Sequence, residues 1–365
     1  VIDVDKLVAA AESDAAQWDR TGLPGEVISL AARTGVLGAD RPATFGGAGL
    51  DARELGRMTA TLGERCTSLR SLVTVHGMAA AALDRWGTAE QREDWLPRLT
   101  EGEAVAALAA TEAGAGTELA AVATTFETAG PDRLVSGHKL WVTFGQVADV
   151  FLVLGGSGDG LCAALVDRDR PGVTVEPVEN PLGLRGARLA HVRFDRVRIP
   201  AAQLLAPPGF GLSHVVGTAL DHGRFTVAWG CVGLARACLA DAAAHAATRV
   251  QGDTALARHQ SVRATLGRCW VEVEGAQALC ERAAGQRVAG SPDSIIATVT
   301  AKYAAADAAA MVSDRAVQLL GSAGCAPDSR VGRFYRDAKV MQIIEGAQEV
   351  AEVTIGEHVL RGARW

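Results

Sequence analysis

From Leu212 to the end of the chain, apolar residues recur at the spacing of an α-helix, in four segments covering about residues 212–249, 257–289, 295–320 and 339–360. Helices of that length with apolar faces must bury those faces against one another, and short connections place neighbours antiparallel. Residues 213–365 are therefore expected to form a C-terminal four-helix bundle, with 321–332 as a loop. Residues 1–103 also read as helical, punctuated by Gly22 to Gly25. Between them, from 104 to 212, the period changes: HVRFDRVRIP alternates, and the apolar runs 150–154 and 161–166 are short enough for strands. The expected fold is α+β and multidomain, with a helical N-terminal domain (1–103), a middle β domain (104–212) and the bundle.

Two glycine-rich stretches imitate nucleotide loops. RPATFGGAGLD, residues 41–51, has no preceding strand and lacks the G-x-G-x-x-G spacing, so it reads as a tight loop between helices. GGSGDG, residues 155–160, lies between two strand-like runs with no helix after it, and reads as a hairpin turn.

With 365 residues and 48% hydrophobic content, the chain can build two or three cores. Its net charge of −6 gives no global basic field for nucleic acid or anionic lipid, so an anionic ligand must meet a local arginine cluster. Cys66, Cys162, Cys231, Cys238, Cys269, Cys280 and Cys325 are odd in number and never spaced C-x-x-C, which fits reduced thiols packed as small apolar residues. The histidines show no metal spacing, and no metal is expected. No apolar run approaches the length of a membrane span, and VIDVDKLVAA does not read as a signal peptide. A cytoplasmic location is expected.

Glu345 is the most informative single residue. It follows Val340, Met341, Ile343 and Ile344 and precedes Gly346. A carboxylate drawn into an apolar pocket has its pKa pushed toward neutrality and can act as a general base. On spacing alone, Glu345 could equally end a helix and face solvent.

RFYRDAK followed by EGAQEV resembles the C-terminal signature of the acyl-CoA dehydrogenase family, R-x-x-R-D-A-K and then I-x-E-G-T. WGTAEQREDWLPRLTEGEAVAALAATEAGAG is similar to the family's F-G-T-x-x-Q, L-P-x-L, G-E and T-E-P-x-A-G-S-D series, and RPATFGGAGLD to its Y-G-G-x-G loop. The resemblance runs from about Gly35 to Leu360. It implies a β-barrel-like middle domain, FAD as cofactor and Glu345 as catalytic base, taking the α proton of an acyl thioester while the β hydride passes to the flavin.

The same resemblance places Arg224 and Asp221, in LDHGRFTV, at the substrate thioester, although an i,i+3 Asp and Arg pair is also common on helix surfaces. His222 reads as a polar neighbour only. Arg185, Arg336 and Asp337 match structural positions, with Arg336 and Asp337 expected to pair and hold the loop of Glu345. For FAD it implies Leu108, Ala110, Thr111, Gly116 and Thr117, then Trp141 and Thr143, and finally Ala347 and Glu349. Read alone, SGHKLWVTFG is also an ordinary strand with Trp141 in the core. The adenosine end of FAD would meet Arg249, Gln251, Gln318, Gly321 and Ser322 of a neighbouring subunit, which implies a homodimer or a homotetramer.

Three departures stand out. EGA replaces EGT at Ala347 and Gly252 takes the place of a phenylalanine packed on FAD, so weaker FAD binding is expected; Ser322 in place of a second glycine is a small change. The whole sequence looks similar to the branch that oxidises acyl groups on an acyl carrier protein for polyketide extender units, such as the methoxymalonyl pathway of actinomycetes. The alternatives are an ordinary short-chain acyl-CoA dehydrogenase, a relative whose reduced flavin reacts with oxygen, and a non-catalytic FAD-binding assembly subunit. The electron acceptor would be a flavoprotein or another carrier.

Overall fold

The computed structural model describes residues 2–362. Its N-terminal part holds α1 (Val4–Thr21), α2 (Gly25–Arg33), α3 (Ala52–Arg65), α4 (Thr67–Trp86) and α5 (Ala89–Thr100). α3 and α5 each open on a reciprocal cap. The Asp51 carboxylate accepts from the Arg53 and Glu54 amides while Glu54 accepts from the Asp51 amide, and Thr88 and Gln91 repeat the device. The Asp51 cap closes the glycine-rich 41–51 loop, which joins two helices as its sequence implies. α4 is buried from Thr67 to Leu83, so it is the inner helix of this part.

The middle part is one mixed sheet. Its strands are β1 (Ala106–Ala109), β2 (Thr125–Ala129), β3 (Asp132–Val142), β4 (Val150–Ser157), β5 (Gly160–Asp167), β6 (Val173–Pro177), β7 (Ala190–Pro200) and β8 (Leu204–Leu205). The order is β6-β7-β3-β2-β4-β5-β8, with β1 parallel beside β4. Val150 to Leu154 of β4 are wholly buried, which accounts for a run without alternation. Ser157 pairs with Gly160 across the β4–β5 turn, so GGSGDG is a hairpin. Between β3 and β7 the register shifts, and Leu140 and Trp141 together oppose His191. Such a bulge bends the strand and re-aims a side chain.

A π-helical turn, Gly211–Val216, leads into α6 (Gly217–Thr248). A short hairpin of β9 (Val250–Gln251) and β10 (Thr254–Ala255) follows, then α7 (Gln260–Val288), α8 (Ser294–Leu320), α9 (Arg330–Met341) and α10 (Gln348–Leu360). The fourth element of the bundle differs from the sequence expectation. Residues 339–360 are not one helix: the chain breaks between Met341 and Gln348, where Glu345 has φ +55° and Gly346 φ +99°. Those angles lie in the left-handed region, which a right-handed helix cannot pass through.

α3 approaches α6 closely because both carry glycines. A Cβ at Gly233 would lie 2.0 Å from the Ala60 carbonyl oxygen, and one at Gly63 2.4 Å from that of Gly230. Against the sequence expectation, Gly211–Thr248 and Ser294–Ala323 reach a mean hydropathy of 1.3 over a span-length window. Both lie within the bundle, where α6 packs against α3, α4, α7 and α8. All seven cysteines are free, and six are buried.

Candidate active site

Glu345 sits in the turn between α9 and α10, and two cations from other helices hold that turn. Arg224 of α6 donates from Nε to the Glu345 carbonyl at 2.8 Å, and Lys302 of α8 donates from Nζ to the Gly346 carbonyl at 2.7 Å. The strained φ of Glu345 costs on the order of 1–2 kcal/mol and persists because these bonds fix it from outside. Its carboxylate lies over Gly223 and Met78: a Cβ at Gly223 would come within 2.7 Å of Glu345 Oε2 and 2.8 Å of Met78 Sδ. Oε2 is buried with no hydrogen-bond partner.

Burial raises the Glu345 pKa to about 7, and the cations Arg224, Lys302 and Arg70 act in the opposite direction. A base poised near neutrality, with an orphaned oxygen aimed into the interior, suits proton abstraction. Burial likewise lowers Lys302 to about 8. His222, pressed between Gly77 and Asp40, is lowered by burial to about 4 and is neutral at pH 7.

Asp221 does not form the i,i+3 pair with Arg224 that was the alternative to a place at the thioester. Its carboxylate binds Arg287 of α7 at 2.6 Å, and its carbonyl accepts from the same guanidinium at 3.0 Å, because the Asp221 side chain leans toward α7. Arg336 and Asp337 do not pair either. Arg336 binds Asp19 of α1, while Asp337 Oδ1 accepts from the Leu184 amide at 2.7 Å; adjacent helical residues point about 100° apart and cannot face each other. Arg185 donates to the Pro181 carbonyl on the surface.

The two flavin motifs meet on the sheet. The Leu140 amide donates to the Thr111 carbonyl at 2.8 Å, which sets the end of β1 beside the bulge of β3. Lys139 pins them from below: its Nζ is 2.6 Å from Glu112 Oε1 and 3.1 Å from the Ala110 carbonyl, and it is wholly buried. Glu112 also accepts from Ala123 and Thr124. These bonds hold its carboxyl below the ordinary range although burial opposes them.

Above this pair Trp141 has φ +58° and is 55% exposed, with His191 edge-on. It is not a core tryptophan. Thr143, two residues on, is half-buried; Gly116 and Thr117 lie exposed in the loop after β1, while Leu108 is half-buried in β1 and Ala110 buried just after it. An open indole beside threonine hydroxyls and a glycine-rich loop fits a planar, hydrogen-bonding cofactor such as FAD. The strip is tied to the base through α4, where the His76 ring accepts from the Ala106 amide at 3.2 Å, two residues from Met78.

Arg249, Gln251, Gln318, Gly321 and Ser322 are not brought to this strip. They lie exposed at the far ends of α6 and α8, and at 1.5 Å per residue α6 alone separates Arg249 from Gly223 by about 39 Å. Ala347 caps α10, and Glu349 is exposed in its first turn.

Sequence reasoning missed Lys302, Gly223, Met78, Arg70 and the Glu112–Lys139 pair. A lone lysine in IIATVTAKYAAADAAA was a signal for the first, and an arginine inside the apolar run of α4 for Arg70.

Models of the acyl-CoA dehydrogenase N-terminal, middle and C-terminal domains match residues 4–103, 107–197 and 210–360. The chain belongs to the acyl-CoA dehydrogenase family, whose members are FAD-dependent oxidoreductases acting on CH–CH bonds. It is 30% identical over 357 residues to the mitochondrial short-chain specific acyl-CoA dehydrogenase of Mus musculus, covering 96% of this chain and 86% of that protein. Among solved structures it is similar to FkbI, described as for biosynthesis of the methoxymalonyl extender unit of the Fk520 polyketide, at 40% identity and TM-score 0.92, with 99% of both chains covered. It is also similar to a glutaryl-CoA dehydrogenase of Mycobacterium smegmatis in complex with FADH2, at 26% identity and TM-score 0.92, covering 100% of this chain and 96% of that one.

Proposed function

We propose that the protein dehydrogenates a short, polar acyl thioester carried on an acyl carrier protein, in the making of a polyketide extender unit. The chemistry rests on one observation, the buried, unpartnered Oε2 of a carboxyl whose pKa is about 7. The carrier and pathway rest on the likeness to FkbI over nearly the full length of both chains.

Thr111, Trp141 and Thr143 would hold FAD, which would supply the two-electron acceptor for the β hydride. Glu345 takes the α proton, and the electron pair left behind closes the α,β double bond. Arg224 and Lys302 bind the carbonyls of Glu345 and Gly346. They fix the backbone of the turn so that the carboxylate stays over Gly223. Where the β carbon is a terminal CH2OH, the product is an enol that tautomerises to an aldehyde, so the same proton and hydride losses serve a polar acyl group.

Arg249, Gln251, Gln318, Gly321 and Ser322 would serve the cofactor of a second copy of the chain in a homodimer. The test is anaerobic bleaching of the flavin absorbance by matched acyl-CoA and acyl carrier protein thioesters. Bleaching by the carrier-bound form alone supports the proposal. Equal bleaching by CoA thioesters assigns the enzyme to ordinary short-chain acyl-CoA dehydrogenation, as in the mouse relative.

A further inference from the structure

A cleft of about 410 Å³ lies where the end of α1 meets the long connection from β6 to β7, and neither Glu345 nor the flavin strip lines it. The connection follows a strained course. Asn180, Leu184 and Arg188 have φ of +49°, +53° and +48°, and none of them is glycine. Strain of this kind clusters at ligand clamps and switch segments. It is enforced from outside the connection: the Leu184 amide donates to Asp337 Oδ1 of α9 at 2.7 Å, the Phe144 amide to the Ala187 carbonyl at 2.8 Å, and the Leu23 amide to the Gly186 carbonyl at 2.9 Å.

That course sets two arginines on the cleft. Arg188 Nε donates to the Leu23 carbonyl at 3.0 Å, and its guanidinium lies against Gly22, where a Cβ would come within 2.4 Å of Nε and 2.7 Å of Cζ. Arg185 Nε donates to the Pro181 carbonyl at 3.0 Å. One nitrogen of each planar group is held by the backbone, while the two terminal nitrogens of each have no partner among the described residues. The cleft's other cation, Arg20, pairs with Asp328, and Asp19 pairs with Arg336. Glu179, exposed, is the carboxylate left without a cation among the described residues. Two free guanidinium forks therefore stand against one free carboxylate, with the side-chain amides of Gln146 and Asn180 beside them.

We propose that this cleft binds a small phosphate monoester, with Arg185 and Arg188 on the phosphate and with Gln146, Asn180 and Glu179 on the hydroxyls of its organic part. A phosphate group presents three acceptor oxygens on a tetrahedron and can take two forks at once. A carboxylate is flat, has two oxygens and is filled by one fork. The volume suits a molecule of a few carbons. The site is separate from those of flavin and thioester, and the assignment does not rest on the reading of Glu345.

The test is isothermal titration calorimetry of the flavin-loaded protein with glycerol 3-phosphate, at low salt in a phosphate-free buffer, with succinate as the dicarboxylate control. Saturable binding of one glycerol 3-phosphate per chain is expected, tighter than succinate by about tenfold or more. R185M and R188M should each weaken it by about tenfold or more through lost charge-assisted hydrogen bonds, whereas R20M, whose arginine is already committed to Asp328, should change it by less than about threefold. The bound ester should also slow amide hydrogen exchange in residues 19–22 and 178–189. If R188M does not retain flavin, R185M and R188K carry the test, with R188K keeping part of the affinity. Absence of saturable binding, succinate binding equally well, equal losses in all three methionine variants, or protection confined to other segments overturns the assignment.

Discussion

Replacing Glu345 by glutamine is expected to abolish activity and to stabilise the fold at alkaline pH. Burial raises the carboxyl from its ordinary 4.5 to about 7. Between those values the unfolded chain has lost the proton that the folded chain keeps, so stability falls as pH rises through the window and is lowest above 7. At 1.36 kcal/mol per pH unit the ionised carboxylate costs the native state about 3 kcal/mol at pH 8.5 and almost nothing at pH 4.5. The glutamine variant carries no such penalty. Its stability relative to wild type should therefore climb by about 2–3 kcal/mol between pH 5 and pH 8.5, read as urea midpoints of the holoprotein in matched buffers. Over the same range the wild-type rate of flavin reduction should rise about tenfold per pH unit and level off above 7, while the variant loses at least roughly 10²-fold at every pH. A variant less stable than wild type at pH 8.5, or a stability difference that does not change with pH, would refute the assignment of a desolvated base.

G223A should place a methyl where Glu345 Oε2 and Met78 Sδ now lie, and displacement of the base should slow flavin reduction by about 10²-fold while the flavin spectrum is kept; an unchanged rate would show that the carboxylate works from elsewhere. K139M should leave Glu112 buried without its cation and cost roughly 3–5 kcal/mol, with loss of flavin retention, because the pair pins Thr111 to the strand of Trp141. A loss below about 1 kcal/mol would contradict that reading. W141A removes an exposed side chain and should change stability by no more than about 0.5 kcal/mol, yet weaken flavin binding at least tenfold in a dilution assay. Undiminished affinity would remove Trp141 from the flavin strip.

The helical pattern, the change of period near residue 104 and the hairpin at GGSGDG were all legible because each is a property of neighbouring residues. So was the place of Glu345, through the run RFYRDAK and EGAQEV. Other features were not. The break in the last helix was hidden, because 339–360 keeps helical spacing and only the φ values of Glu345 and Gly346 interrupt it. The partners of Arg336 and Asp337 were misjudged because their adjacency suggested a pair, while packing set Asp19 and the Leu184 amide nearer.

The sequence by itself determined the order of helical, β and helical parts, the family and the place of the proposed base, Glu345, since periodicity, caps and motifs are written within a few residues of one another. Only the tertiary structure decided how that base is charged. Gly223, Lys302 and Arg70 reach Glu345 from three different helices, and the Arg70–Met341 contact closes 271 residues of chain. A carboxyl group's pKa depends on the water it loses and the charges it meets, and both are set by which distant helices pack around it.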